Sequence, residues 1–554
     1  YYKTSERVGF SVGAYYSKTD GFFKNLYTGE KCDWERSGGG RFKVQYRNLH
    51  GLRIDNTFSF VKLEQGGYPY AYVETGQIAY NDPSDYRRTN FNDGLTIRYE
   101  GEKFSVASIT SYQYLDDRMN LDQDFLPLSY FTLTQARREH AVTEDLVFRS
   151  PDDKAYRWLL GAFGFYRHTS MHAPVLFKED GIRNLILDRF EPQGIHAEWG
   201  EDTFLLDSRF RTPDYGAALY HESTYDAGRW RFTAGLRVDF EASKLHYRSY
   251  AEATYTTQTP DGTSYPHAIL VDQPGTLKQS FTEILPKISV LYRMGSSRRN
   301  TLYATVSKGY KAGGFNTQMF SDVLQQQVMK QMGFGSLYDV ADVVTYKPEK
   351  SWNYEIGIRS ELLFQRLSAE LTGFYMDIQD VQLTKFVNSG NGRILTNAGK
   401  AKSYGIEASL RARIIDGLTA DVNYGFTHAT FRDYNNGKED FKNNFIPYTP
   451  RHTFNVGLQY TRLFRNAWID QFSASAQFSG VGKIFWTERN DIYQKFYGTV
   501  NAKVGVRKGI VNVNLWSRNI TNTHYSAFYF ESFGNPFIQL GKPFQIGAEV
   551  AIAF

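Results

Sequence analysis

One short motif near the amino terminus has the spacing of a hydrolase nucleophile. Gly9-Phe10-Ser11-Val12-Gly13 matches the pattern G-x-S-x-G, in which the serine sits on a sharp turn between a strand and a helix. Here these residues lie within a segment that alternates like an uninterrupted strand, and neither the turn nor the helix is indicated. The sequence therefore assigns no catalytic residue, and no enzymatic function is expected.

Three histidines in or beside one long polar segment are of the type that binds metals or haem. The intervals between His168, His172 and His196 do not match a ligand pattern. The favoured interpretation is that all three are surface histidines.

Four aspartates close together carry the oxygen ligands that Ca²⁺ prefers. They are Asp116, Asp117, Asp122 and Asp124. A solvated acidic loop is the favoured interpretation, so neither a metal site nor a cofactor is predicted.

Aromatic and arginine side chains in polar segments are the residues best suited to hold an organic ligand. Aromatic rings supply large contact areas, and guanidinium groups pair with anionic groups. The candidate ligand contacts are Trp34, Tyr68, Tyr70, Tyr72, Arg87, Arg88, Arg118, Trp199, Trp486 and Tyr493. Packing in an aromatic girdle or in the core of a loop is the alternative role for each.

A methionine-rich segment predicts a short helix within a loop. Met319, Met329 and Met332 flank the run Gln325-Gln326-Gln327. Flexible methionine side chains either contact a ligand or pack inside such a loop, and the sequence leaves both roles open.

The elements that must position these side chains are strands. At the carboxyl end apolar side chains take every second position, at Phe544, Ile546, Ala548, Val550, Ile552 and Phe554. Such a strand at an open sheet edge would recruit other chains, whereas in a closed transmembrane barrel its apolar face meets lipid. The same alternation recurs at 420–426, 454–460, 472–478 and 500–506. The predicted fold is therefore an all-β, transmembrane antiparallel β-barrel.

Composition agrees with a barrel and excludes several other classes. Of 554 residues, 42 are Phe and 40 are Tyr, which suits aromatic girdles at two membrane interfaces. No run approaches the roughly 18 apolar residues that a membrane helix needs. The net charge of +5 is too small for this length to imply nucleic-acid binding. Cys32 is the single cysteine, which excludes a disulfide or a cysteine metal site within the chain.

Short turns and long polar segments alternate along the chain. Short turns are predicted near 101–102, 151–153, 227–228, 295–297, 364–366, 416–417, 464–466 and 508–509, and the largest loops near 170–211, 249–280 and 315–350. Outer-membrane barrels have short periplasmic turns and long extracellular loops in this order. About twenty strands result. Counting back from the last turn places both ends of the chain in the periplasm and the long loops outside the cell.

Several segments resemble the barrel of TonB-dependent receptors, the active transporters of Gram-negative outer membranes. They lie at 14–22, 302–316, 346–357, 396–407 and 519–525, and include Ser307-Lys308-Gly309-Tyr310-Lys311-Ala312-Gly313-Gly314-Phe315-Asn316. As a set they run from one end of the chain to the other. The last strand also resembles the assembly signal of bacterial outer-membrane barrels, through Gly547, Val550, Ile552 and Phe554.

The resemblance implies a barrel of twenty-two strands, preceded by a plug domain and a TonB-contacting box. This sequence shows about twenty strands and neither of the amino-terminal parts. Residues 1–554 are therefore expected to form the receptor-like β-barrel, with the plug and the first two strands absent from the chain.

The function implied by the resemblance is active uptake of a scarce extracellular ligand. The iron-complex branch is the most similar, so a ferric siderophore is the first choice. Cobalamin or a glycan is the alternative within the class, and a passive porin is the alternative if no plug exists. The implied partners are the TonB-ExbB-ExbD energising complex and outer-membrane lipids, with a surface lipoprotein as a further candidate and no nucleic acid.

Overall fold

A computed structural model describes residues 2–48, 50–295, 299–335, 339–363, 366–386, 393–465 and 468–553. In it 23 strands join in one antiparallel sheet, and the remaining strands form small sheets in the loops. The all-β fold that the sequence predicts is therefore confirmed. No helix among these residues is long and apolar enough to span a membrane.

The strands follow one another with few helices between them. The first fourteen are β1 (Tyr2–Lys3), β2 (Val8–Thr19), β3 (Glu35–Arg47), β4 (Leu52–Gln65), β5 (Tyr70–Tyr72), β6 (Asp85–Glu100), β7 (Ser105–Asp122), β8 (Phe131–Arg149), β9 (Tyr156–His172), β10 (Val175–Phe177), β11 (His196–Trp199), β12 (Phe204–Ala227), β13 (Trp230–Gln258) and β14 (Ser264–Met294). The others are β15 (Asn300–Lys311), β16 (Gly314–Phe315), β17 (Thr345–Tyr346), β18 (Glu349–Leu362), β19 (Leu367–Gln379), β20 (Gln382–Phe386), β21 (Arg393–Asn397), β22 (Lys400–Ile415), β23 (Leu418–Asp433), β24 (His452–Leu463), β25 (Gln471–Val481), β26 (Ile484–Phe485), β27 (Tyr493–Gln494), β28 (Tyr497–Lys508), β29 (Val511–Arg518), β30 (Ser526–Ser532), β31 (Asn535–Leu540) and β32 (Gln545–Ile552).

The helices are short and lie in the loops. They are α1 (Glu179–Leu185), α2 (Met319–Gln331) and α3 (Val340–Val344), with 3₁₀ helices at Leu187–Arg189 and Glu191–Gln193. The helix predicted from the methionine-rich segment is confirmed as α2. Met329 and Met332 are buried in an apolar cluster, so in this structure they pack within the loop.

The register of the large sheet places the predicted apolar rows on one face. Val456 lies opposite both Val422 and Phe478, and Phe478 lies opposite Val500. Because directly opposite residues of an antiparallel pair share a face, the alternating apolar residues of β23, β24, β25 and β28 form one surface. We call this the outer face and the opposite side the inner face. The last strand joins the outer face where Val550 lies opposite Val513.

The inner face is polar and carries ion pairs. Asp226 accepts hydrogen bonds from three arginines, Arg157 at 2.7 Å, Arg231 at 2.8 Å and Arg293 at 2.9 Å. A face with this many charges faces water or protein rather than lipid. The two faces of the sheet therefore have the chemistry of a membrane barrel with a wet interior.

Loops from the two ends of the sheet meet. Tyr72 of β5, in a loop between early strands, lies opposite Phe537 of β31, in the loop before the last strand. Long strands that are consecutive in the chain are neighbours in the sheet, so the first and last strands lie at its two ends. Loops from these two ends can meet only if the sheet curves. Among the described residues no ladder joins β32 to β1 or β2. The strand count of the complete barrel and the absence of a plug stay predictions.

Among the described residues short and long connections alternate as predicted, but one predicted loop is wrong. The predicted turns near 295–297, 364–366 and 464–466 lie in part outside the described residues. Residues 249–280 were expected to form a long loop, whereas β13 and β14 continue through them as a hairpin that turns only at 259–263. The reason is that Ala251, Tyr255 and Ile269 are buried on the inner side. Period-two alternation thus continues beyond the apolar rows with a polar outer face, and this polar composition resembles that of a loop. The irregular part of the predicted 170–211 loop is likewise shorter, because β9 ends at His172 and β12 begins at Phe204.

The expectation of a solvated acidic loop is wrong for three of the four aspartates. Asp117, Asp122 and Asp124 are only 8%, 0% and 1% exposed. Asp117 accepts hydrogen bonds from Arg88 at 3.1 Å and Arg137 at 3.0 Å. These contacts come from neighbouring strands, so spacing within one segment does not reveal them.

Burial raises the pKa of Asp122 to about 7 and that of Asp124 to about 8, and Asp122 adds repulsion at Asp124. Oδ2 of Asp124 is buried with no hydrogen-bond partner among the described residues. Because both pKa values lie above the usual range near 4, protonation favours the folded loop. This stabilisation is complete below about pH 4 and is lost as the pH rises through about 7 to 8.

We therefore expect the segment 119–133 to open more readily at pH 8.5 than at pH 5.5. In hydrogen exchange corrected for intrinsic rates, its protection should fall across this interval, and Asp124→Asn should weaken the pH dependence. Asp116→Asn is the matched control, since Asp116 is only half-buried and pairs with Arg138 at 2.9 Å. If hydrogen-exchange protection has the same pH profile in wild type and Asp124→Asn, the pH dependence does not come from Asp124.

Candidate functional site

A cavity of about 930 Å³ opens among four loops at the edge of the sheet that carries the long connections. Its walls come from the β20–β21 hairpin, the connections 434–451 and 482–496, and the β30–β31 hairpin. Ligand cavities in proteins are typically 300–1,000 Å³, so this one has room for an organic molecule or a metal chelate.

Two of the loops are held together by a reciprocal side-chain contact. The side-chain oxygen of Asn490 accepts from Phe445 N–H at 2.6 Å, and its side-chain nitrogen donates to Phe445 O at 2.9 Å. The side chain of Asn444 donates to Glu488 O at 2.8 Å. These bonds replace a β-ladder between the loops, so the two walls keep a defined separation.

Tyr448 joins three of the loops. Its N–H donates to Phe485 O at 2.8 Å, and its hydroxyl donates to Tyr529 O at 3.0 Å. Its φ is +60°, a left-handed conformation that is uncommon for an aromatic residue. Phe533, which also lines the cavity, has a φ of +51°. Strained backbone of this kind concentrates at ligand clamps, so both positions are candidate contacts.

Aromatic rings form much of the cavity wall. Tyr448 and Trp486 have ring centroids 5.5 Å apart, and Tyr448 stacks on Phe528 at 5.4 Å. Phe530, another lining residue, packs edge-on against Tyr70 at 4.7 Å. The rings offer flat apolar surface with polar edges, which suits an aromatic or heterocyclic ligand.

The charged side chains of the wall carry a negative excess. Among the described lining residues the carboxylates are Glu439, Glu488, Asp491 and Glu531, and the cations are Lys438 and Arg489.

Three of these carboxylates already have partners in the wall, where Asp491 accepts a hydrogen bond from the hydroxyl of Thr487. Arg489 forms a bidentate pair with Glu439 at 2.5 and 2.7 Å, which raises the pKa of the arginine. Burial and a 2.7 Å hydrogen bond to Glu531 raise the pKa of Tyr529, which stays a hydrogen-bond donor at neutral pH. The cavity is therefore better suited to a neutral or cationic ligand than to a polyanion.

The ten predicted ligand contacts do not come together in one place. Trp486 lines the cavity and is 6% exposed. Tyr493 lies in the same loop, with Lys483 Nζ 3.7 Å from its ring centroid. Trp34 lies apart, half-buried beneath the Arg36 guanidinium at 5.6 Å. All of these assignments stay predictions.

Four of the predicted aromatic contacts pack in a buried cluster beside the cavity. Tyr68 stacks on Tyr70 at 5.7 Å, and Tyr72 packs on Phe537 at the same distance. Trp199 packs against Phe204 at 5.0 Å, and its indole nitrogen is buried without a hydrogen-bond partner among the described residues. In this structure these partly buried rings pack against the loop core, and Tyr70 contacts the cavity wall through Phe530 and, by way of Phe528, Tyr448.

The three predicted arginines divide between the faces of the sheet. Arg88 is on the inner face, paired with Asp117. Arg87 and Arg118 lie opposite each other on the outer face. Arg87 pairs with Asp85 at 2.9 Å, and Arg118 donates to Asn120 at 3.3 Å. Adjacent residues of a strand point to opposite sides, so a run of arginines cannot serve one site.

The remaining motifs of the sequence have structural positions. Ser11 lies within β2, as the alternation predicts. His172 contacts Asp207, and His196 lies 3.4 Å from Glu198. Among the residues that the structure describes, no group of three or more histidine, cysteine, aspartate or glutamate side chains is arranged to hold a metal ion. Phe554 lies outside the described residues.

Sequence reasoning missed Tyr448, Arg489, Tyr529 and Phe530. For Tyr448 a signal exists, since Pro447 and Pro450 bracket the aromatic residue and indicate a rigid turn. Arg489 and Tyr529 have no such signal, because their role depends on loops that are about forty residues apart in the chain and meet only after folding.

Comparison with known proteins gives the same family at the level of sequence and of fold. Residues 33–522 match the family described as TonB dependent receptor-like, beta-barrel. The pesticin receptor of Yersinia pestis is 25% identical over 283 residues, which are 50% of this chain and 37% of that protein, and the pesticin receptor of Yersinia enterocolitica is 24% identical over 281 residues, also 50% and 37%. The match thus spans well under half the length of these curated relatives.

Solved structures resemble the whole chain. The ferric yersiniabactin uptake receptor FyuA from Yersinia pestis superposes with a TM-score of 0.76 at 17% identity, covering 100% of this chain and 76% of that one. The siderophore receptor PiuA from Acinetobacter baumannii gives 0.69 at 11% identity, covering 99% and 78%. At these identities the likeness shows the barrel fold alone. Together with the family match over most of its length, it establishes that the chain belongs to the TonB-dependent receptor-like β-barrel family.

Proposed function

We propose that this chain is the barrel of an outer-membrane active transporter that captures a ferric siderophore. The observation that carries the proposal is the aromatic-walled cavity of about 930 Å³ at the long-loop edge of the sheet. The matched family is one of receptors and transporters rather than enzymes. One structural relative is named as a siderophore receptor and another as a ferric yersiniabactin uptake receptor.

In this proposal the long loops are extracellular and both ends of the chain are periplasmic. The loops close over the ligand, exclude water and retain it. The TonB-ExbB-ExbD complex supplies energy through a plug domain of the complete protein, which also contributes the two further strands. Cobalamin and glycans stay the alternatives within the class, and a passive porin stays the alternative for a barrel without a plug.

The charge balance of the cavity narrows the ligand class. Four carboxylates against two cations disfavour a ligand with several negative charges, because like-charge contacts in a partly buried site cost free energy. We expect a chelate that is neutral or positively charged once Fe³⁺ is bound, with aromatic or heterocyclic groups to lie against Tyr448 and Trp486.

The test is binding and uptake with a panel of ferric chelates that differ in charge. The complete protein, purified in detergent, should bind a neutral ferric chelate at least about tenfold more tightly than a trianionic ferric tris-catecholate, as measured by quenching of tryptophan fluorescence. Uptake of the radiolabelled neutral chelate into cells should require TonB.

Other outcomes separate the alternatives. Tight binding of cobalamin or an oligosaccharide, with no binding of any ferric chelate, would replace the ligand while keeping the mechanism. Entry of small solutes that is independent of TonB and does not saturate would support the porin instead.

A further inference from the structure

The β20–β21 hairpin forms one wall of the cavity but lies outside the large sheet. Its strands continue the barrel strands β19 and β22, whose ladder ends where Gln379 lies opposite Lys400. In the described part of the chain β20 and β21 pair only with each other. The hairpin residues that line the cavity are Gln382, Leu383, Thr384 and Ile394. This wall of the cavity is therefore not fixed by a ladder to a neighbouring strand.

The hairpin leaves the barrel wall at a bend. Asp380 has a φ of +52° and Gly399 a φ of +60°, and these residues follow Gln379 and precede Lys400. A left-handed residue interrupts an extended backbone, and here both strands are interrupted at the same level. A Cβ at Gly399 would lie 2.0 Å from Asp433 O, so glycine is required there. The hairpin can therefore tilt against the barrel unless other contacts hold it.

Apolar contacts support one side of the hairpin. Val381 and Leu383 are buried in a cluster with Phe431, Tyr434 and Phe441. The hydrophobic effect is non-directional, so this cluster holds the hairpin close but does not by itself set its orientation. Hydrogen bonds are directional, and they lie on the other side of the hairpin.

Asn316 holds strand β21 with both groups of its side-chain amide. Its Nδ2 donates to Leu395 O at 2.8 Å, and its Oδ1 accepts from Leu395 N–H at 2.9 Å. A carboxamide bound to both backbone groups of one residue takes the place of a neighbouring strand. Asn316 is itself fixed, because its backbone N–H donates to Val344 O at 2.7 Å.

Asn397 holds the base of the hairpin in the same way. Its Oδ1 accepts from Lys347 N–H at 2.7 Å, and its Nδ2 donates to Lys347 O at 3.0 Å. The same Nδ2 donates to Asp380 O at 2.8 Å, across the bend. Because Lys347 lies just before β18 and Asp380 just after β19, one side chain ties the hairpin to two strands of the barrel wall.

Gln382 holds strand β20. Its Nε2 donates to Ala312 O at 2.8 Å and to Lys347 O at 3.1 Å. Its backbone N–H donates to a carboxylate oxygen of Glu349 at 2.8 Å. Both strands of the hairpin are thus held by side-chain amides. We call the contacts made by the side chains of Gln382 and of the two asparagines the amide junction.

Segments that are distant in the sequence meet at the amide junction. Three of those that carry the family resemblance, 302–316, 346–357 and 396–407, supply its groups. Their close approach depends on Gly313, where a Cβ would lie 2.5 Å from Tyr346 O. The resemblance thus includes residues that set the position of one cavity wall.

We propose that Asn316 and Asn397 are positioning residues for the ligand, because through the amide junction they hold the β20–β21 hairpin against the cavity and the hairpin retains the bound ligand. This inference rests on the proposed function, since it requires a ligand in this cavity. Neither asparagine is among the described residues that line the cavity, so both act through the hairpin. A hairpin that tilts freely opens an exit for the bound ligand, and the asparagines therefore act on the dissociation rate constant.

The test uses Asn316→Ala and Asn397→Ala in the complete protein, purified in detergent. Asn25→Ala is the matched control, because the side-chain amide of Asn25 also joins two segments and is not among the described residues that line the cavity. It donates to Tyr80 O at 2.8 Å and accepts from Tyr27 N–H at 3.0 Å. Heat-modifiable migration in gels checks that each barrel is folded.

Hydrogen exchange of the ligand-free proteins measures how firmly the hairpin is held. In each asparagine variant the amides of β20 and β21 should exchange about 30-fold faster than in wild type, because at least two hydrogen bonds are lost and each contributes a factor of about five. Exchange in the β19–β22 ladder should stay unchanged. Asn25→Ala should leave all four strands as they are in wild type.

Stopped-flow tryptophan fluorescence measures retention of the ligand, with a neutral ferric tris-hydroxamate as the probe. Each asparagine variant should release this chelate about tenfold faster than wild type, with an association rate constant within about twofold of the wild-type value. The control should match wild type in both rate constants. A general loss of loop structure would instead reduce the fraction of protein able to bind, and association would slow as well.

Two results would overturn the proposal. Equal exchange of β20 and β21 in the asparagine variants and the control would show that the junction does not hold the hairpin. Faster exchange with unchanged release of the chelate would show that the hairpin does not retain the ligand. If wild type binds no ferric chelate, the ligand of the proposed function is wrong, and the exchange experiment alone then confirms or overturns the role of the two asparagines. If one asparagine variant does not fold, the other gives the same comparison.

Discussion

Replacing Trp486 by alanine is expected to weaken binding of the ferric chelate by about 30-fold. The indole lines the cavity and has its ring centroid 5.5 Å from that of Tyr448. Its removal takes away a contact surface and the support that positions Tyr448, and buried aromatic residues at the centre of a binding site typically contribute about 2 kcal/mol or more. Equilibrium titration of the purified complete protein measures the change.

Trp34→Ala is the informative comparison for this variant. Trp34 is a candidate contact by sequence but lies outside the cavity lining, beneath Arg36. We expect its removal to change affinity by less than about threefold. The reverse pattern, in which Trp34→Ala weakens binding and Trp486→Ala does not, would place the ligand in another part of the loops. Heat-modifiable migration distinguishes a binding defect from a folding defect in both variants.

Replacing Phe537 by alanine is expected to destabilise the loops at the long-connection edge of the sheet by about 3–5 kcal/mol. Phe537 is 0% exposed and its ring packs on Tyr72, Phe125 and Phe530, at centroid distances of 5.7, 5.4 and 5.4 Å. Alanine would leave a cavity where loops from the two ends of the sheet meet. Local opening should then expose β30 and β31 to hydrogen exchange and to protease, with a matching loss of ligand binding.

The barrel itself should keep its fold in the Phe537→Ala variant, because its strands are held by ladder hydrogen bonds that do not involve this ring. Phe496→Ala is the matched control, since Phe496 is 56% exposed. We expect the control to change loop protection by less than about 1 kcal/mol. Equal protection of β30 and β31 in the two variants would show that the aromatic cluster does not hold the loops together.

The sequence predicted the barrel wall accurately because the wall is built on a local rule. In a half-buried strand every second side chain faces lipid, so the rows at Val422, Val456, Phe478 and Val500 are visible before any partner strand is known. The register then places these residues side by side. The loop helix α2 was predictable for the same reason, from residues within one segment.

The candidate site was predicted only in part. Trp486 was singled out and does line the cavity, but Tyr448, Arg489 and Tyr529 were not. Residue type alone indicated that aromatic side chains in loops suit a ligand, without indicating which loops approach one another. Arg87 and Arg88 show the limit most directly, since these neighbours were assigned one role and lie on opposite faces of the sheet.

The sequence by itself therefore determined the all-β fold, the outer-face rows, the order of short and long connections, and the family. Tertiary structure alone decided which loops enclose the cavity, that Asp122 and Asp124 are buried, and that β13 and β14 continue through residues 249–280. The physical reason is the separation along the chain of the residues that determine each feature. Alternation along a strand is set by neighbours two residues apart, whereas burial and charge pairing depend on segments that only the curvature and register of the sheet bring together.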